Sequence, residues 1–572
     1  DFFQGSLNES QAMQVAEAMV KYLQPYGYDV LTIDEFWFAD NCKAPVAPEP
    51  DITGTIGVRS CDGAASQEWV LSSEGLEEGY FSIASAGGDF HGVVDIYGCK
   101  TVNESPAYLF PRHSGLTEPQ DACGGKNQLW KWDASTGKIL NAMKDKCLDA
   151  HVGDERFIAA DSVNLNACTG ASNQRWEYDS ATKVLKVAGR AEHDGGPWCL
   201  TAEPPEGRRP ACIDEHGRPQ PDKEKWPSAA GGQGLKPFAD KIHAMGLRLG
   251  LHTLRGSISK AAIHAKSPIL GFDGATVDKL ATTGCDWNPN WFAVDETHPA
   301  AQAWLDSVYG QYAQWGIDFI KNDCIFSGNM VQSNIELVRK SLAKTGRDFE
   351  YSLSPGGSDP NEVAYAHAIA DKVSIYRVTS DWHGGDLSYH FDIAHELEDL
   401  IGVSGLGTGL SFPDLDMLHP YKNTRTDLDF KLQMTLWSIA RSPLIYGGDI
   451  RSTSLTADDF ALMTNPEVLD VQELSSKNRQ VFRSDGVVVW AASGPGESTY
   501  IALMNTGESA ASVNVSFADL GIGEDSTCQA RDLWDHLDKE MALGSVIRSV
   551  PGRNGAFLLK LSGCREGTAL WL

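Results

Sequence analysis

The stretch Gly316-Ile317-Asp318-Phe319-Ile320-Lys321-Asn322-Asp323 reads as a buried β-strand that ends in a carboxylate. A second run, Lys372-Val373-Ser374-Ile375-Tyr376-Arg377-Val378-Thr379-Ser380-Asp381, reads the same way. Both sit inside a rhythm of helical and extended segments. The helical pattern at 237–245 leads into a strand at 247–252, 299–315 into 317–323, 331–345 into 349–351, and 360–370 into 373–378. The pattern at 389–401 leads into the segment ending Pro413-Asp414-Leu415-Asp416, and 427–440 into Leu444-Ile445-Tyr446. Upstream, an amphipathic helix over 10–23 precedes a strand at 28–37 that holds Asp34 and Glu35. Such alternation predicts parallel strands joined by right-handed crossovers. It supplies seven strands, one short of a (β/α)8 TIM barrel, and the missing strand is expected ahead of Asp1. In that fold the chemistry lies at the C-terminal ends of the strands, where Asp323 and Asp381 fall. Two carboxylates facing one sugar ring are the minimum equipment for cleaving a glycosidic bond.

The texture changes between 43 and 211, where short strands, turns and cysteines replace the helices. Gln67-Glu68-Trp69, Gln128-Leu129-Trp130 and Gln174-Arg175-Trp176 each follow a cysteine. This repeat resembles the ricin-type β-trefoil lectins, and the resemblance covers the insert alone. It implies an all-β, trefoil-like domain with sugar-contact positions at Asp149 (in Cys147-Leu148-Asp149) and Asn173, and with Leu165 where an aromatic is expected. A purely structural insert is the alternative. After about 475 the helices stop, and Val487-Val488-Val489-Trp490, Tyr500-Ile501-Ala502-Leu503-Met504, Ser512-Val513-Asn514-Val515 and Ala556-Phe557-Leu558-Leu559-Lys560-Leu561 read as antiparallel strands. The expected domains are therefore 1–42 (first part of the barrel), 43–211 (trefoil-like insert), 212–474 (second part of the barrel) and 475–572 (a separate C-terminal antiparallel β-sandwich).

Composition narrows the function. The 572 residues carry 48 Lys+Arg against 77 Asp+Glu, a net charge of −29. That balance speaks against nucleic acid and anionic membranes, since phosphate binding needs clustered cations. No apolar run approaches the roughly 18 residues of a membrane span. Residues 1–9 do not read as a signal peptide, and with no initiator Met the chain is expected to be processed or to lack its start. Twelve cysteines without a Cys-x-x-Cys motif point to disulfides and an oxidising compartment rather than zinc, and no metal or other cofactor is implied. Nearest-neighbour pairing, 42–61, 99–123, 147–168 and 199–212, is one arrangement for the insert, with 528–564 closing the sandwich, but spacing does not fix the connectivity. Sequons at Asn8, Asn103 and Asn514 agree with a secreted glycoprotein, in the cell wall or an acidic compartment.

Four ordered motifs, Ile33-Asp34-Glu35, Lys321-Asn322-Asp323-Cys324, Tyr376-Arg377-Val378-Thr379-Ser380-Asp381 and Pro413-Asp414-Leu415-Asp416-Met417-Leu418, resemble the melibiase family of α-galactosidases, glycoside hydrolase family twenty-seven. The likeness is greatest to plant and algal members and spans about 1–42 and 212–565. It implies that Asp323 is the nucleophile and Asp381 the general acid/base. It also implies that Lys321, Arg377, Asp34, Asp416 and His252 (where the family often has Tyr) hold sugar hydroxyls, and that Cys285 pairs with Cys324. The chemistry needs a donor that keeps its proton while the nucleophile is ionised. Carboxyl groups about 5–5.5 Å apart give retention of configuration.

Three departures shape the expected substrate. Glu35 stands where the family usually has a second Asp, pushing a carboxylate ~1.5 Å further in, where galactose carries its C6 hydroxymethyl. That favours β-L-arabinopyranose, the same ring without that group. Ser354, in place of a Glu near the 2-hydroxyl, resembles N-acetylgalactosaminidases, although the following Pro355-Gly356-Gly357 departs from both patterns. The Gly-Trp-Asn strand of the family is absent from the chain. The expectation is a retaining exo-glycosidase acting on terminal β-L-arabinopyranosyl or α-D-galactosyl units of glycans or glycoproteins. The alternatives are a non-catalytic carbohydrate-binding glycoprotein and an α-N-acetylgalactosaminidase.

Overall fold

The computed structural model describes residues 7–566 apart from 36, 39–41, 43–53, 88–90, 97–98, 100, 102, 104, 113–122, 152–161, 189–196, 204–211, 326–331, 355–361, 383, 407–408, 419–426 and 453–454. Pro355-Gly356-Gly357 therefore lies outside the described residues. The chain divides into two compact units, Asp1–Ala44 with Ala211–Leu572, and Pro45–Pro210.

In the first unit, strands β1 (Val30–Ile33), β2 (Arg248–Leu254), β3 (Phe319–Asp323), β4 (Glu350–Ser354), β5 (Ile375–Arg377) and β6 (Leu410–Asp414) adjoin in that order. All five junctions are parallel. The seventh expected strand is reduced to one parallel bridge, Leu418 to Tyr446. Helices Lys236–Ala244, Ala301–Trp315, Gln332–Lys344, Glu362–Ile369, Ser388–Glu396 and Asp427–Ile439 carry the chain between strands. Ala301–Trp315 shows how such a helix is stopped: Gly316 takes φ +85°, and its N–H returns to the Tyr312 and Ala313 carbonyls. The core is large and aromatic, with Trp37, Trp226, Trp291, Trp304, Trp437 and Tyr312 each no more than 2% exposed.

Register decides which side chains share a face. Side chains alternate along a strand, and His252 pairs with Lys321, Lys321 with Ser352, Asp323 with Ser354, and Arg377 with Asp414. The polar residues thus form one layered face at the strands' C-terminal ends. Asn322 points the other way: its Nδ2 donates to Thr253 Oγ1 and to the Arg255 carbonyl, each at 3.0 Å, and its Oδ1 accepts from the Tyr351 hydroxyl at 3.1 Å. Just past these strand ends, Arg255, Ser257, Cys324 and Asp416 adopt φ of +46°, +56°, +59° and +82°. Such conformations are costly for side-chain-bearing residues and gather at functional rims.

A small sheet of Ile258–Ser259, Ala281–Gly284 and Trp291–Val294, absent from the sequence expectation, follows β2. The C-terminal strands form a six-stranded sheet and a two-stranded one. The sandwich shares one compact unit with the barrel. In Val487–Ser493 alternate residues explain why: Val488, Trp490 and Ala492 join the barrel core, while Val487, Val489 and Ala491 join the sandwich core. Burial on both faces makes the run continuously apolar. Asn514 is exposed on the outer two-stranded sheet, whereas the Asn8 side chain caps helix Glu9–Tyr22.

The disulfides correct the neighbour pairing. Cys99–Cys123 and Cys147–Cys168 are neighbours, but the outer four cysteines are nested as Cys42–Cys212 and Cys61–Cys199. The first and last strands of the second unit, Gly54–Ser60 and Trp198–Glu203, pair antiparallel, which brings Cys61 beside Cys199. Cys285–Cys324 and Cys528–Cys564 complete the set.

Candidate active site and sugar-contact positions

Asp323 ends β3 and is 9% exposed. One of its oxygens accepts the Cys324 N–H at 2.6 Å; the other lies 3.2 Å from His252 Nε2 and 3.8 Å from Lys321 Nζ. Burial opposes its ionisation, but His252, Lys321 and Arg377 outweigh burial and hold its carboxyl below the usual range. Asp34, at the end of β1, lies 3.2 Å from Lys321 and 3.7 Å from His252. Burial is again outweighed, mainly by Lys321, and Asp34 is held well below its ordinary value. Lys321 is raised in turn, because Asp34 and Asp323 overcome its burial. In this cluster both carboxylates, Asp34 and Asp323, are held below the usual carboxylate range.

Glu35 has the opposite character. Burial raises its carboxyl, and the nearby Asp34 and Asp323 charges add to that effect against His252 and a hydrogen bond from Asn288. The Asn288 amide donates to Glu35 Oε1 at 2.7 Å.

The second half of the site centres on Arg377, the last residue of β5. Its guanidinium meets Asp381 at 2.6 Å and Asp416 at 3.6 Å, and it is raised against its burial by Asp416, Asp381, Asp323 and Asp414. Asp381 is 66% exposed at the side chain. Asp416 is buried; its Oδ2 accepts the Trp382 N–H and its carbonyl accepts Trp437 Nε1, both at 2.7 Å. Asp414, which was not singled out as a candidate, accepts the Asp416 N–H at 2.9 Å. Burial, reinforced by the Asp416 charge, pushes Asp414 up to about 7, and burial also raises Asp416. The Ser354 hydroxyl, 3% exposed and in register with Asp323, has no hydrogen-bond partner among the described residues.

Eight of the nine barrel candidates are thus linked by ion pairs, hydrogen bonds or electrostatic contact, and Ser354 joins them by strand register. Trp37 is core: it is 2% exposed, and its Nε1 donates to the His252 carbonyl at 2.9 Å. Trp382 packs with His390 and Trp437. The residues missed from the sequence are Asp414 and Asn288. Asp414 lies inside a quoted motif, but no local pattern marks Asn288, which comes from a loop 253 residues beyond Glu35.

In the second unit the repeat is geometrically regular. Trp69, Trp130 and Trp176 donate their indole N–H to the carbonyls of Leu200, Val94 and Leu148. The residues after those carbonyls, Thr201, Asp95 and Asp149, accept from Gln67, Gln128 and Gln174. Asn173 Nδ2 donates to Asp149 at 2.8 Å, and Asn127 Nδ2 to Asp95 at 2.9 Å. Asp95 is a second such position that was missed, because no Cys-Leu precedes it. Its cross-strand neighbour is Tyr108, an aromatic on the same face. Leu165 lies fully in the core, not at a sugar-facing surface.

Comparison with known proteins agrees with both units. Residues 294–473 match the family model described as alpha galactosidase A, 484–561 the alpha galactosidase C-terminal beta sandwich domain, and 118–226 the ricin-type beta-trefoil lectin domain. The chain is 24% identical over 340 residues to an alpha-galactosidase of Cyamopsis tetragonoloba, covering 59% of this chain and 71% of that protein. It is 34% identical, with a TM-score of 0.56, to the crystal structure of a GH27 β-L-arabinopyranosidase from Geobacillus stearothermophilus, covering 62% of this chain and 82% of that one. A variant of that enzyme in complex with arabinose shares the fold across 98% of this chain and 95% of its own, with a TM-score of 0.62 at 24% identity. The strand-end carboxylates on a TIM barrel, the β-sandwich and these matches make the chain a member of the GH27 melibiase family of glycoside hydrolases, with a ricin-type β-trefoil inserted in it.

Proposed function

We propose that the protein is a retaining exo-glycosidase for terminal β-L-arabinopyranosyl units, with α-D-galactosyl units as second substrate. Asp323, ionised between Lys321 and His252, attacks the anomeric carbon. The C–O bond to the leaving group breaks, and its oxygen takes a proton from Asp381. A covalent glycosyl-enzyme results. Asp381, now a carboxylate, accepts a proton from water as that water attacks the same carbon; the bond to Asp323 breaks, and the sugar leaves with its configuration retained. Asp381 is open to solvent, so it can exchange protons with water between turnovers. Asp34 and Lys321 are suited to the 4-hydroxyl, Arg377 and Asp416 to the 2-hydroxyl side, and the Ser354 hydroxyl is an unfilled partner within the same cluster.

The observation that carries the substrate assignment is Glu35, whose carboxyl interacts with Asp34, His252 and Asp323. A longer acid there occupies the space of a hydroxymethyl group. The 34% identity to a β-L-arabinopyranosidase supports the same reading. Both candidate sugars share the axial 4-hydroxyl, and discrimination by a few atoms is worth about 1–3 kcal/mol, so activity on both is expected. Six disulfides fit a secreted protein.

The test is hydrolysis of the two 4-nitrophenyl glycosides, with the anomer of the released sugar followed by NMR. A higher kcat/KM for the arabinopyranoside and a first-formed sugar of retained configuration are expected. No turnover of either compound would leave the carbohydrate-binding alternative, which the Asp95–Tyr108–Asn127 and Asp149–Asn173 clusters favour.

A further inference from the structure

Glu35 reaches from the end of β1 to a loop of distant sequence. Asn288, which bonds it at 2.7 Å, is 3% exposed. The Asn288 Oδ1 accepts from the backbone N–H and the side-chain amide of Asn290, both at 3.4 Å, so its NH2 end is the end presented to Glu35. The loop itself is fixed. The Cys285 N–H bonds the Trp291 carbonyl at 2.9 Å, the Trp291 N–H the Asn288 carbonyl at 3.2 Å, and the Lys260 N–H the Asn290 carbonyl at 2.7 Å. The Cys285–Cys324 disulfide then ties the loop to the residue following Asp323. The group that grips Glu35 is therefore anchored covalently beside Asp323.

A glutamate has three side-chain torsions and, if free, could swing aside to admit a hexose. Held by a buried amide, it can do so only by giving up that hydrogen bond. We propose that Asn288 is a specificity-determining positioning residue: it clamps Glu35 in the corner of the pocket that a hexopyranose C6 hydroxymethyl would fill, so that pentopyranosides are preferred. This rests on Glu35 being the selector, as set out above.

The experiment compares kcat/KM for the two nitrophenyl glycosides in wild type, Asn288→Ala, Glu35→Asp and the double variant. Asn288→Ala should lower the arabinopyranoside-to-galactoside ratio about five- to tenfold, mostly through improved handling of the galactoside. In the Glu35→Asp background, where the shorter side chain falls short of the amide, Asn288→Ala should leave the ratio unchanged. If Asn288→Ala fails to fold, the near-isosteric Asn288→Asp puts a carboxylate against Glu35 and should shift the ratio in the same direction. An unchanged ratio in the Asn288 variants beside a shifted one in Glu35→Asp overturns the clamp alone. A ratio that moves equally in both backgrounds overturns it too, since Asn288 would then act without Glu35. An unchanged ratio in Glu35→Asp removes the selector and the clamp together.

Discussion

The two halves of the barrel site use charge in opposite ways. Around Asp323, two carboxylates face Lys321 and His252, and both are held below their ordinary values. Around Arg377, three carboxyls share one guanidinium, and the two buried ones, Asp414 and Asp416, are raised. Burial pushes carboxyls up on both sides; the ratio of cations to acids decides whether it wins. A nucleophile belongs in the first environment. In the second, the proposed proton donor Asp381 is the exposed carboxyl, paired with Arg377 at 2.6 Å, while Asp414 and Asp416 are buried.

The sharpest way to break this contrast is Asp323→Asn. Turnover should fall at least about 10³-fold, as when other nucleophiles are removed, with thermal unfolding little changed. Residual activity within about tenfold of wild type would rule out the nucleophile role. Next comes Arg377→Met, which leaves three carboxyls without their cation. Loss of one partner of a buried ion pair costs about 3–5 kcal/mol, to be read from urea unfolding at pH 7. The loss should shrink at pH 5, where buried acids take up protons. A loss under about 1 kcal/mol at pH 7 would mean that Arg377 does not hold this half together.

Asp414→Asn has the smallest expected effect. The Asp414 carboxyl is raised to about 7, against an ordinary value of about 3.9. The folded state therefore binds its proton more tightly than the unfolded chain does. That contribution is complete below about pH 4 and is lost as pH rises through 7, a change of roughly 2–4 kcal/mol. The asparagine carries no titrating proton, so the variant should show a flatter fall in unfolding free energy between pH 4 and 7. Parallel pH profiles for variant and wild type would show that Asp414 is already ionised.

Much of the barrel was legible because its signal is periodic. The expected helices and strands lie within a few residues of the observed ones, and the two-residue period of Lys321-Asn322-Asp323 correctly separates two inward side chains from a structural one. Contacts without a local pattern were not legible. The Cys61–Cys199 bond follows from strand pairing across the whole second unit, not from spacing. Asp95 was invisible because its repeat lacks the Cys-Leu that marks Asp149. Asn288 meets Glu35 only once the chain has folded. The seventh strand is shorter than expected: among the described residues Leu444-Ile445-Tyr446 makes a single bridge, Tyr446 to Leu418.

The Cys42–Cys212 bond has a practical corollary. The Cα atoms of these residues lie 5.5 Å apart although 170 positions separate them in sequence. Successive Cα atoms are about 3.8 Å apart, so a splice of one or two residues spans that gap. The lectin cassette is thus a guest whose host chain leaves and returns at one doorway, already locked by a covalent staple. Excising it and joining the ends should yield a shorter hydrolase, and the same doorway could receive a different cassette.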